Sequence, residues 1–127
     1  MTTDTLLLRQ VNPSWVQAGR ITSQVFKPTP KDDKRVSAYD GDQITPKDSW
    51  THYNEELGFQ SVGVVAVTVG ECEKHELIAE PDPEPFPAHV VIKFDGCVSN
   101  SQIEKKAKHL KKAAETRGWQ YEAETNK

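Results

Sequence analysis

A chain of 127 residues is one domain's length, and two domains of half that size would each be too small to bury a core. Hydrophobic residues make up 35 % and charged residues 28 %, a lean composition that still falls outside the disordered class. The net charge of −3 gives no global attraction to nucleic acid or anionic lipid, and no stretch nears the ~20 apolar residues of a membrane span.

In chain order, TLLLRQV (5–11) reads as a strand. Asn12 as N-cap and Pro13 at the first helical position then predict a short turn that Gly19 ends. RITSQVF (20–26) is expected as a second strand, and KPTPKDDK (27–34) as a solvated loop. RVSAY (35–39) fits a short edge strand before the Asp40-Gly41-Asp42 turn. Thr45, Pro46 and Asp48 announce a helix with Trp50, Tyr53 and Leu57 on one face and Gly58 as its stop. SVGVVAVTV (61–69) is β-branched and apolar on both faces, as a central buried strand should be.

From about 71 to 88 an acidic, Pro-rich stretch is expected as a long exposed crossing, because Pro81, Pro83, Pro85 and Pro87 at alternate positions favour an extended polyproline-like run. HVVIKF (89–94) returns to strand pattern. The last helix has Ser99 as N-cap, Gln102 three residues on, a stripe of Ile103, Ala107, Leu110 and Ala114, and Gly118 at its end. Trp119 and Tyr121 alternate as a final strand, with a frayed tail from about 122. The sum is a single compact α+β domain spanning 1–127, a mostly antiparallel sheet of about five strands with two main helices, the last helix between two strands. A parallel βαβ unit around that helix stays open.

Three groups of residues carry possible chemistry. Cys72, His75, His89 and Cys97 are zinc-type ligands, but their spacing lacks the second short pair of a zinc knuckle, and buried, reduced cysteines are expected instead. Lys105, Lys108 and Lys112 share one face of the last helix and would suit phosphates, yet no aromatic or Arg is interleaved for base contacts, so a solvated face is expected. From Glu71 to Glu84 six acidic residues accompany one lysine, and this stiff segment, with Glu80, Asp82, Glu84 and Phe86, is the expected surface for a basic protein partner. Phe86 serves there either as an exposed anchor or, folded back, as the peg that holds the loop down.

Two resemblances follow from the motifs. Arg9 on a first strand, the hydroxyls of Thr22 and Ser23 on a second, and the later Glu71 resemble, in chain order, the Arg-Ser-Glu branch of the ADP-ribosyltransferases; that likeness implies a compact NAD- or nucleotide-binding enzyme with those four residues in one cleft. The sequence departs from that pattern with Ile21 in place of a hydroxyl and no acidic residue two before Glu71. Over most of its length, through LLRQVNPSWVQAGRITSQVFKPTPKD, VGVVAVTVGEC, PFPAHVVIKF and RGWQY, the chain resembles an uncharacterised family of small bacterial proteins, which implies a bacterial, cytoplasmic domain. The N-terminus lacks a signal peptide's basic flank and unbroken apolar core, in line with that compartment. The expectation is a non-enzymatic interaction or regulatory module of a multi-protein system of the defence or toxin-antitoxin type, with no cofactor and no membrane partner.

Overall fold

The alternation of apolar residues in the strands places their side chains on two faces, and each face is covered by a different set of helices. The computed structural model describes residues 1–29 and 33–123. Six strands form one sheet: β1 (Leu6–Gln10), β4 (Arg35–Asp40), β5 (Gly63–Thr68), β6 (Ile78–Pro81), β7 (His89–Lys93) and β8 (Tyr121–Glu122). Their order is β6-β7-β4-β1-β5-β8, and every neighbouring pair is antiparallel. Between β1 and β4, a hairpin of β2 (Val16–Gln17) and β3 (Arg20–Ile21) is flanked by tight 3-10 turns at Pro13–Trp15 and Ser23–Phe26. The helices are α1 (Pro46–Thr51), α2 (Val69–Lys74) and α3 (Asn100–Arg117). This is a small α+β domain, as its sequence pattern predicts.

β5 shows how the two-sided burial works. Val65 and Val67 enter one core with Leu7, Phe26, Ile92 and the α3 stripe of Ile103, Ala107, Leu110 and Ala114. Val64 and Ala66 enter the other with Leu8, Tyr39 and, from the α1 side, Trp50 and Tyr53. The capping grammar of the helices holds: Thr45 accepts from Asp48 N, Ser99 accepts from Gln102 N, and Gly118 ends α3 at φ 89°. Among the described residues no helix is long and apolar enough to cross a membrane.

Several expectations need correction. Only Arg20–Ile21 of the 20–26 segment is strand; the 3-10 turn that follows buries the consecutive Val25 and Phe26 together, which a strand would send to opposite faces. β4 is interior, between β7 and β1, and not an edge. β5 lies between β1 and β8, one place from the edge. The 71–88 crossing is largely ordered: Thr68 and Glu71 form a reciprocal capping box that starts α2, and β6 pairs with β7 from Ile78 to Pro81. Pro81 is tolerated because β6 is an edge strand, so the true loop runs only from 82 to 88.

α3 does not make a parallel neighbour pair either. It joins β7 to β8, which run the same way but have β4, β1 and β5 between them. β8 begins at Tyr121, while Trp119 packs against Gly63. The expected loop at 27–34 includes residues 30–32, and the expected tail includes 124–127; both parts lie outside the described residues.

Candidate functional site

β1 and β4 are paired only at Leu7↔Asp40 and Leu8↔Tyr39, and beyond that point the gap between them opens a cleft of about 530 Å³. Arg9 bridges the gap. Its Nε donates to Val25 O at 2.7 Å and its Nη1 to Ser37 O at 2.8 Å, while the guanidinium lies 5.1 Å from the centre of the Trp15 ring. One wall comes from the end of α1, which widens into a π-helical turn at His52–Glu56. Tyr53 and Leu57 line the cleft together with the exposed Phe59, whose ring centre lies 5.1 Å from that of Tyr53.

The opposite wall is the 82–88 loop, and Phe86 is its anchor. The ring stacks on Tyr39 at 4.9 Å and meets His52 at 4.6 Å and His89 at 5.0 Å. Phe86 is thus the inward peg of the two roles its sequence context allowed. The Tyr39 hydroxyl lies 2.8 Å from His52 Nδ1, and burial, followed by Tyr53 and Glu56, pushes this phenol far above its ordinary pKa. Burial also raises Tyr53, with Arg9 opposing. Both phenols stay neutral around neutrality and offer an apolar ring with a polar tip.

His89 is buried, and both its nitrogens are used. Nδ1 lies 2.9 Å from Asp82 O and 3.4 Å from Asp82 Oδ2; Nε2 lies 3.1 Å from Ser37 Oγ. A carbonyl can only accept, so Nδ1 carries a proton, and in the neutral ring Nε2 accepts from the Ser37 hydroxyl. The order Ser37–His89–Asp82 is that of an activated nucleophile, but the Nδ1 proton goes to a main-chain carbonyl and not to the carboxylate. The bonds fasten the loop to β4, a structural task.

Gln10 adds an unusual feature to the lining. It is 3 % exposed, and its Nε2 donates to Ser49 Oγ at 3.0 Å. The Ser49 hydroxyl spends its own proton on Pro46 O at 2.7 Å, which fixes the amide orientation. Gln10 Oε1 is then a buried acceptor with no hydrogen-bond partner, the one such side-chain atom among the described residues. An unsatisfied buried acceptor costs about 1–3 kcal/mol.

The residues singled out from the sequence are dispersed. Arg9 is in the cleft, Thr22 donates to Trp15 O, Ser23 to Glu104 on α3, and Glu71 is held by Arg117 in a two-pronged bridge of 2.9 and 3.0 Å. The four do not share a cleft, so the ADP-ribosyltransferase arrangement is not assembled. Cys72 and Cys97 are buried in the α3-side core, His75 is on the surface of α2 and His89 in the cleft; no group of these residue types among the described residues could hold a metal ion. Burial, then Glu71 and Glu73, pushes the Cys72 thiol up to about 12. Lys105, Lys108 and Lys112 are exposed along α3. On the acidic segment Glu80 pairs with Lys93 at 3.2 Å, Asp82 faces His89, and Glu84 is exposed beside the cleft-lining Pro85.

Ser37, Tyr39, His52, Tyr53 and Phe59 complete the site without having been singled out as such from sequence. The chain matches no protein-family model, no curated protein and no solved structure to which it was compared. The cleft is therefore read from its own chemistry.

Proposed function

We propose that this chain is a non-enzymatic interaction module of a bacterial multi-protein system, and that its cleft receives an extended segment of a partner protein. The observation that carries the reading is the aromatic-walled cleft beside Arg9, lined by Tyr39, Tyr53, Phe59 and Phe86. An apolar side chain from an incoming segment would fill the space beside Tyr53, Phe59 and Phe86. Asp82, Glu84 and Glu56 favour basic residues flanking the apolar anchor. Arg9 is occupied by two main-chain carbonyls and Trp15, so it serves first to keep β1 and β4 apart.

The test is affinity capture from a bacterial host with three baits: the wild-type chain, Tyr53→Ala/Phe59→Ala, and Glu80→Ser/Asp82→Ser/Glu84→Ser. One stoichiometric protein should co-purify with the wild type. Loss of two aromatic anchors should weaken it by about 10-fold or more, and the carboxylate variant should weaken it most at low salt. Equal capture by all three baits, or no stoichiometric partner, overturns the reading.

A further inference from the structure

A second hollow lies on the other side of the sheet, where the end of α2 meets α3. Its volume is about 460 Å³, and Lys74, His75, Lys105, Lys106 and His109 line it together with Gln102. No Leu, Ile, Val, Met, Phe, Tyr or Trp contributes. The two imidazoles lie parallel, 9° between planes and 4.3 Å between centres. Lys27, Lys93 and Lys111 elsewhere each pair with a carboxylate, whereas among the described residues none of Lys74, Lys105 and Lys106 is in an ion pair. Glu76 is the one carboxylate in the lining, and the nearby Glu71 is held by Arg117. Gln102 Oε1 accepts from Val98 N at 2.8 Å, which leaves the amide NH₂ as the group Gln102 can offer.

We propose that this hollow binds phosphate groups, with Lys74, Lys105 and Lys106 supplying the charge and His75 and His109 donating to phosphate oxygens once protonated. Three ammonium groups gathered around a single carboxylate, Glu76, leave an excess of positive charge, and a compact, multiply charged anion is the occupant that removes the repulsion. The absence of apolar lining excludes a ligand held by its hydrophobic body. With no Phe, Tyr or Trp in the lining and the two imidazoles already stacked on each other, a nucleic acid would be held by its backbone.

The same geometry makes binding dependent on pH. The groups facing His75 are Glu71, Lys74 and Glu76 from α2 and its end, and Lys105, Lys106, His109, Lys112 and Arg117 from α3. Burial, then His109, Lys74 and Lys106, lowers the His75 pKa, with Glu71 opposing. The free imidazole is therefore neutral around neutrality, and a bound anion raises its proton affinity. Binding must tighten as pH falls.

The experiment is amide NMR titration of the whole chain with inorganic pyrophosphate and with a short single-stranded oligonucleotide, whose phosphodiesters do not titrate in this range. Shifts are expected at 74–76 and 102–109, with roughly tenfold tighter oligonucleotide binding near pH 6 than near pH 8. Three lysine contacts predict a slope of about −2 for log K against log salt with the single strand. Lys105→Gln/Lys106→Gln should lose about tenfold or more in affinity. Saturation by pyrophosphate with no gain from the oligonucleotide identifies a small phosphorylated ligand, and much tighter oligonucleotide binding identifies a strand backbone. No saturable shifts, shifts centred elsewhere, or an unaffected double variant overturns the site; identical affinity at both pH values overturns the role of the histidines. Capture at the cleft and this titration read opposite sides of the sheet, so either can fail alone.

Discussion

Phe86→Ala is the most informative single change. Complete burial would make Phe→Ala cost about 3–5 kcal/mol, but Phe86 is only half-buried, and its value lies mainly in three ring contacts, to Tyr39, His52 and His89. Halving the full figure gives about 2 kcal/mol, which for a chain of this length lowers Tm by about 8 °C. The damage should be local first. The 82–88 loop is fixed by Asp82 N to His89 O at 2.9 Å and His89 N to Phe86 O at 3.0 Å, besides the His89 side chain. Hydrogen exchange at those amides should therefore accelerate more than at β1 or β5. Glu84→Ala, exposed in the same loop, is the control and should change stability by less than about 0.5 kcal/mol. A Tm drop of less than about 2 °C with undisturbed loop exchange would refute the assignment of Phe86 as the peg.

Other sites make independent predictions. A Cβ at Gly63 would sit 2.6 Å from Tyr121 O and 2.8 Å from Trp119 Cζ3, so Gly63→Ala should displace β8 and cost about 1–3 kcal/mol, measurable by urea denaturation with tryptophan fluorescence as a second probe. For Glu71, burial acts to raise the pKa, but Arg117 and Thr68 outweigh it and hold the carboxyl below its ordinary value. Its contribution is therefore present above the unfolded-state pKa of about 4.3 and is lost as pH falls through the lower folded value. Between about pH 5 and pH 3 the wild type should lose more stability than Glu71→Gln, and parallel pH profiles would contradict this. Ser37, whose partner His89 is spent on fastening the loop, should not form an adduct with a fluorophosphonate probe; stoichiometric labelling at Ser37 would assign a nucleophilic hydrolase to the cleft.

What could be read from sequence was local. The α3 stripe, its Ser99 cap and its Gly118 stop depend on residues three or four apart, and the two-faced burial of 63–68 follows from a period of two. β6 escaped notice because proline at every second position outweighed Ile78-Ala79 as a strand signal, although an edge strand has no need of every N–H. The 3-10 turn at 23–26 was hidden by the same apolar residues that a strand would use. The cleft had no local signal. It is assembled from Arg9, Ser37, Tyr53, Phe86 and His89, each ordinary in its own segment, and brought together by a sheet order that alternation does not encode. The unpartnered Gln10 oxygen is equally a product of tertiary packing against Ser49.

The strand order also dictates a schedule for synthesis. β1, the first strand of this sheet in chain order, occupies an interior place, and β4 and then β5 add to its two sides before β7, β6 and β8 extend the sheet outward. A three-stranded nucleus of β4, β1 and β5 is thus available once the chain has emerged from the ribosome as far as Thr68, while the α3 stripe that covers it has not yet emerged. For the time needed to translate from Val69 to Arg117, roughly 2–10 s at ~5–20 residues per second, Val65, Val67 and Phe26 lack that cover. A nascent chain paused in this window is the form of the protein most exposed to chaperones and to aggregation.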